Sequence, residues 1–319
     1  YLNALLATPS GSPFPKTKEE VLRSFVMTHE QAAESAEILR RALHGFHRDM
    51  LVGLASQANR SANTFIQETT ARQVIAAVGK QLLEEGQLTI PLQPTTAIDV
   101  LIGSHILVRP ASGAGAIMFQ HQQFQEWYAS YEVERLMVET TSGNAETLKV
   151  LREGVLNWPA WEESILFACE RLSRQDEAGV AAVAKAIDEA LGIDPILAAE
   201  MIYRSAHHVW PMVRGRVTAL VHRWHVRGKV DRAVRFMIAS GRPEFAELVW
   251  PLVSSEDDQV HLHALRAAAR FHPTVLGDDA AAKLASLTEK TRKHVISEIA
   301  SNGGYDGMEL AANLAKTDP

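Results

Sequence analysis

His105-Ile106-Leu107-Val108-Arg109, a small turn at residues 112–115, and Ala116-Ile117-Met118-Phe119-Gln120 form two short apolar runs folded across glycine. Such runs on either side of a glycine turn predict a β-hairpin. Directly after it, Phe124, Trp127, Tyr128 and Tyr131 recur at i, i+3, i+4 and i+7, so an amphipathic helix is expected to open near His121. Upstream, helical patterns over residues 71–83 and 96–102 are separated by a segment carrying Pro91 and Pro94. Helices followed by a hairpin wing suggest a winged-helix domain, placed here over residues 63–140. No other part of the chain reads as a strand pair.

Working toward the N-terminus, the period turns wholly helical. Thr17 and Glu20 have capping-box spacing. Val21, Leu22, Phe25 and Val26 then share one helical face, and Ile38, Leu39, Leu43, Phe46, Leu51 and Leu54 continue the apolar stripe. Residues 59–63 read as a connection, so residues 1–62 are expected to form a helical domain. The chain opens at Tyr1 without methionine, inside the apolar run Tyr1-Leu2-Asn3-Ala4-Leu5-Leu6. A helix rarely starts uncapped, so the sequence reads as a piece cut from a longer protein.

Toward the C-terminus, short helices and tight turns follow Gly143. Asp176 is placed to cap a helix carrying Val180, Val183, Ala184, Ile187 and Leu191, with Gly192 closing it. Asp194-Pro195 supplies the cap and first-turn proline of the next. Val213, Val217, Leu220, Val221 and Trp224 form one face of another, ended by Gly228. Trp158-Pro159, Trp210-Pro211 and Trp250-Pro251 lie 52 and 40 residues apart, close to the ~40–47 of HEAT-like helical pairs. The stretch from Trp250 to Phe271 adds a helix, an acidic turn at Glu256-Asp257-Asp258 and a second helix. Residues 141–319 are therefore expected to be a HEAT-like α-solenoid, with the three Trp-Pro tryptophans packed at helix junctions.

Composition agrees with a mainly α class. The 319 residues are 46% hydrophobic and 22% charged, with few aromatics, as in a folded globular protein. A net charge of −6 argues against a chain that coats nucleic acid. The single Cys169 suits a reducing compartment, and no apolar run approaches the ~20 residues of a membrane span. These features imply a cytoplasmic protein.

Apparent catalytic motifs fail on chemistry. In Gly11-Ser12-Pro13-Phe14-Pro15-Lys16-Thr17, proline removes a backbone donor that a phosphate loop would use. His29-Glu30 lacks the second histidine of a zinc-protease helix. His261 and His263 would face different sides of a helix, and the better-spaced His222 and His225 lack a third ligand. No catalytic residue is assigned.

Phe119-Gln120-His121-Gln122-Gln123-Phe124-Gln125-Glu126-Trp127-Tyr128-Ala129 resembles the winged-helix segment of NACHT-type STAND NTPases, whose pattern is Phe-x-His-x-x-Phe-Gln-Glu-aromatic-aromatic-Ala. Histidine, phenylalanine, Gln-Glu and the aromatic pair all fall in register. Residues 1–25 also look like the helical domain that precedes it, so the resemblance covers about residues 1–140. It implies a regulatory and sensor portion, with the nucleotide-binding core lying upstream. ADP or ATP would be held by that upstream domain, and none by this chain alone. The resemblance further implies that His121 touches the β-phosphate of ADP and holds the switch closed, that helical repeats sense a trigger, and that the parent oligomerises on activation. Anti-phage or stress defence is the setting it suggests. Taken without the resemblance, His121 reads as a cap of its helix.

One local feature departs from the acidic average. Between Arg214 and Arg235 lie seven Arg or Lys residues and one acid, Asp231. Arg216, Arg223 and Arg227 recur at helical spacing and are the candidate surface for a trigger protein or other acidic ligand. Two other classes compete. One is a free-standing helical-repeat scaffold that binds a partner protein without nucleotide. The other, a winged-helix DNA binder, needs basic residues on its recognition helix, and residues 71–83 and 96–102 carry few.

Overall fold

The computed structural model describes residues 15, 17–31, 33–111 and 115–317. The fold is mainly helical. It separates into two compact units, one up to Ala182 and the other from Val183, and the expected boundaries at 62/63 and 140/141 both fall inside the first.

In the first unit, α1 (Lys18–Gln31) opens on a reciprocal box: Glu20 N–H donates to Thr17 Oγ1 at 3.1 Å, and Thr17 N–H donates to Glu20 Oε2 at 3.3 Å. Two donors that a helix start leaves orphaned are thereby satisfied. Val21, Leu22 and Val26 form its buried face. Helix α2 (Ala33–Leu43) buries Leu39 and Leu43 but leaves Ile38 exposed, so the apolar stripe is narrower than its sequence suggests. In α3 (His47–Arg60), Met50, Leu51, Leu54 and Ala58 lie in the core.

The hairpin forms as expected, between β2 (Leu107–Val108) and β3 (Ala116–Phe119), with Leu107 opposite Phe119 and Val108 opposite Met118. A third strand was not expected: β1 (Ile66–Gln67) pairs antiparallel with β3, giving the order β1-β3-β2. Helices α4 (Glu68–Glu84) and α5 (Pro94–Gly103) cover the two predicted patterns, with Pro94 in the first turn where its missing N–H costs nothing. Helix α6 (Gln122–Thr141) follows the hairpin directly. After α7 (Ala145–Leu151), α8 (Glu162–Leu172) packs along both α6 and α1, which is why the first unit runs past residue 140.

The packing of α1, α6 and α8 encloses charge. The buried Arg171 guanidinium donates to Glu19 at 3.0 Å, to Glu134 at 2.7 Å and to Ser130 at 2.8 Å, and lies 3.8 Å above the Tyr131 ring. Trp127 Nε1 donates to the same Glu19 carboxylate at 3.2 Å, and Glu170 accepts from the Glu19 N–H at 3.0 Å. Glu19 thus has the partners that an interior charge requires.

Helix α9 (Glu177–Leu191) carries the division between the units, and the Asp176 carboxylate accepts from Gly179 N–H at 2.7 Å in its first turn. The second unit continues with α10 (Pro195–Arg204), α11 (Trp210–Trp224), α12 (Arg232–Ser240), α13 (Ala246–Val253) and α14 (Asp258–Leu265). It ends with α15 (Ala280–Ala285), α16 (Glu289–Asn302) and α17 (Gly304–Thr317). Asp194 caps α10 and Asp231 caps α12, each carboxylate accepting two backbone N–H groups. The pairs α10/α12, α13/α14 and α16/α17 pack on each other, and no strand occurs among the described residues here.

The Trp-Pro echo does not mark equivalent places. Trp158 is half exposed, and Trp161 fills the buried position beside it. Trp210 and Trp250 are buried, but Pro211 opens α11 whereas Pro251 lies inside α13. The expectation for Trp158 is therefore corrected: Pro159 starts a separate 3-10 turn that carries Trp161 inward instead. Among the described residues no helix is long and apolar enough to cross a membrane.

Candidate functional site

Most residues of the segment Phe119–Ala129 are consumed by the fold. Phe119, Trp127, Tyr128 and Ala129 are buried. Gln125 donates to Asn59 Oδ1 at 2.9 Å, and Asn59 in turn donates to Ser164 at 3.0 Å, tying α6 to α3 and α8. Glu126 accepts from Gln122 at 2.8 Å, and burial pushes its carboxyl above the usual range, with Glu163 adding to the effect. Phe124 stacks on Phe25 of α1 with ring centroids 5.6 Å apart.

His121 is different. It occupies the N-cap position of α6 with extended backbone, yet its side chain makes no capping hydrogen bond. The ring is exposed and leans on Phe124 at 5.6 Å. Capping, the role read from the residues alone, is therefore not what the imidazole does.

A cavity of about 260 Å³ opens beside it. Phe25, Phe124, Tyr128 and Ile106 give it an apolar and largely aromatic wall, while His121, Gln120 and His105 supply its polar atoms. No carboxylate is among its described lining residues. The wall holds together because α1 is anchored by Glu19 in the buried ion cluster and because Gln120 N–H donates to the Ile106 carbonyl at 3.1 Å. Sequence reading missed Phe25 and His105 as members of this site. Phe25 looked like ordinary core, and His105 like the start of a strand.

The arginine row is less regular than its spacing implies. Val213, Val217 and Val221 bury one face of α11 and leave Arg216 and Arg223 exposed on its outer side. The helix stops at Trp224, because His225 turns extended and the Asp231 carboxylate takes the N–H of Val226 at 2.7 Å. Arg227 therefore sits in the following loop and shares no helical face with the other two. Arg216 pairs with Asp188 of α9, whose carboxyl is held above its usual range by burial against that opposing charge. Among the described residues, Arg223 and Arg227 are exposed and have no carboxylate partner. His222 is exposed, while His225 lies 3.3 Å from Asp231.

His261 is buried with Nδ1 against the Val253 carbonyl, whereas the side chain of His263 is exposed. The phosphate-loop-like residues 11–14 and 16, and the apolar run 1–6, lie outside the described residues, as do the side chains of His29 and Glu30. A second, wider cleft of about 580 Å³ in the second unit is lined by Tyr203, Arg242, Asp278, Asp306 and Glu309. Comparison with protein-family models, curated proteins and solved structures finds no match.

Proposed function

We propose that this chain is the regulatory and sensor portion of a STAND-type NTPase switch in the cytoplasm. On this reading residues 63–140 act as a winged-helix domain, and the C-terminal helical pairs act as a HEAT-like sensor. An upstream domain presents ADP, and His121 donates to its β-phosphate and keeps the switch closed. Arg223 and Arg227, joined by Arg216 if it leaves Asp188, receive an acidic trigger. Nucleotide exchange then permits oligomerisation, in a role such as anti-phage or stress defence.

One observation supports the nucleotide contact above all. Within the segment that resembles the family pattern, His121 is exposed and makes no capping hydrogen bond, and it stands at the rim of a cavity with no acid among its described lining residues. An imidazole there is available to donate to a phosphate oxygen.

The test is ADP release from the intact parent protein. A charge-assisted hydrogen bond is worth about 1.5–3 kcal/mol, so His121→Ala should speed release by roughly 10- to 150-fold, since 1.4 kcal/mol is a factor of ten. The melting temperature should barely move, because no capping bond is lost. Release at the wild-type rate would sink the nucleotide role and leave a scaffold that binds a partner without nucleotide.

A further inference from the structure

We propose that His105 is a second phosphate-binding residue, forming with His121 a two-imidazole receptor for a terminal phosphate at the mouth of the aromatic cavity. This rests on the reading of that cavity as the nucleotide-facing site and adds a residue that neither the motif nor its spacing points to.

The argument starts from the end of α5. His105 N–H donates to the Ile102 carbonyl at 2.9 Å, and Ile106 N–H donates to the Leu101 carbonyl at 3.3 Å. With Ser104 as the C-cap, these are the two bonds of a Schellman ending, which requires the residue after the cap to be left-handed. His105 complies with φ 56. Glycine is the usual occupant of that position because a side chain there is strained. The chain carries a histidine instead, and that histidine is one of the residues lining the cavity. Two other non-glycine residues, His44 and Ala62, also have positive φ, and neither belongs to this lining.

The sheet then brings the two histidines together. Gln120 N–H donates to the Ile106 carbonyl at 3.1 Å, so the residues next in sequence, His105 on one side and His121 on the other, flank a single backbone bond. Between them the described lining residues offer two imidazoles and the Gln120 amide, with no carboxylate among them to repel a phosphate. Imidazole and amide N–H groups can each donate to a phosphate oxygen. Aromatic side chains behind the rim exclude water from one side of the site, which strengthens hydrogen bonds to a charged oxygen.

Strain and binding make opposite demands at residue 105, and the experiment uses this. Inorganic pyrophosphate would be titrated into the 319-residue chain at constant ionic strength, following the ring Cε1–Hε1 NMR signals of His105 and His121 and the melting temperature. Both signals should move along one saturation curve. His105→Gly should melt higher by about 2–4 °C, because the left-handed position is relieved, and should bind pyrophosphate about 10-fold more weakly. His105→Asn, which tolerates the left-handed backbone but cannot become cationic, should melt near wild type and bind as weakly as the glycine variant. If only the His121 signal moves, or if both variants bind like wild type, the assignment of His105 is overturned while the His121 reading stands. If neither signal moves, the two-imidazole receptor is overturned, while the His121 reading stands or falls on ADP release from the intact parent protein.

Discussion

In the first unit Arg171, Glu19 and Glu134 meet inside the protein, with Trp127, Ser130 and Tyr131 closing around them. In the second unit the helix pairs close over Ala198, Met201, Ile202, Ala233, Phe236 and Met237, and ion pairs such as Lys290–Asp258 and Arg266–Glu298 stay at the surface. The pairs His272–Glu200, at 3.2 Å beneath the stacked Tyr203 ring, and His225–Asp231, at 3.3 Å, lie deeper. A buried charge penalises every register in which one of its partners is missing, so α1, α6 and α8 are held in a single arrangement. Apolar pairs tolerate small shifts more readily. The interior charges of the first unit thus fix α1 and α6, two of the helices that line its cavity.

Breaking that arrangement should give the largest effect. Arg171→Ala leaves Glu19 and Glu134 without their shared partner, and removal of one member of a buried ion pair costs about 3–5 kcal/mol. Residues 17–172 should lose hydrogen-exchange protection while the helices of the second unit keep theirs. Uniform loss across both units would show that the chain unfolds as one body and that the contrast is false. Replacing Arg171, Glu19 and Glu134 together by well-packed apolar residues should recover much of the loss, since such cores are often neutral or better.

The second unit has its own point of high sensitivity, and it is steric. Gly241 has φ +57, and a Cβ there would lie 2.6 Å from Tyr203 Cδ2 and 2.7 Å from Thr274 Oγ1. Thr274 Oγ1 also donates to the Gly241 carbonyl at 2.7 Å, pinning the backbone in place. Gly241→Ala should therefore cost about 2–3 kcal/mol in a chemical denaturation curve. A cost below 0.5 kcal/mol, on the order of an ordinary surface change, would mean that Tyr203 and Thr274 move aside and that this unit is softer than its packing implies.

What the sequence made legible was local. The Thr17/Glu20 box, the Asp194-Pro195 start and the hairpin are encoded within a few residues of each other, and each formed. Strand β1 was not legible because two residues, Ile66 and Gln67, carry no periodicity; only β3 makes them a strand. The Arg171 cluster was hidden for another reason. Glu19 and Arg171 are 152 positions apart, and no spacing rule links them. Trp158 misled because a Trp-Pro pair says where a helix can begin but not which tryptophan turns inward. His121 was singled out by the motif it sits in, whereas His105 could have been noticed only as a histidine where a helix ends and glycine is the norm.

The smallest effect asks whether every interior carboxylate of the first unit is compensated as Glu19 is. Glu126 is held above its usual pKa by burial first and by Glu163 second, with the Gln122 hydrogen bond and Lys18 opposing. Its folded pKa is raised, so the stability linked to it is fully present below the unfolded value of 4.5 and is lost as pH rises through the folded value. At pH 7 the ionised Glu126 therefore works against the fold. Glu126→Gln should be slightly more stable than wild type at pH 7 in urea melts, and that advantage should shrink with falling pH and vanish below about 4.5. Glu134 shares that direction, since burial outweighs the Arg171 hydrogen bond at 2.7 Å and raises its pKa, so the stability linked to its protonation should also be lost as pH rises through its folded value. If Glu126→Gln were instead the less stable protein at neutral pH, its carboxylate would belong with Glu19 among the compensated charges, and the ionic organisation of the first unit would extend the length of α6.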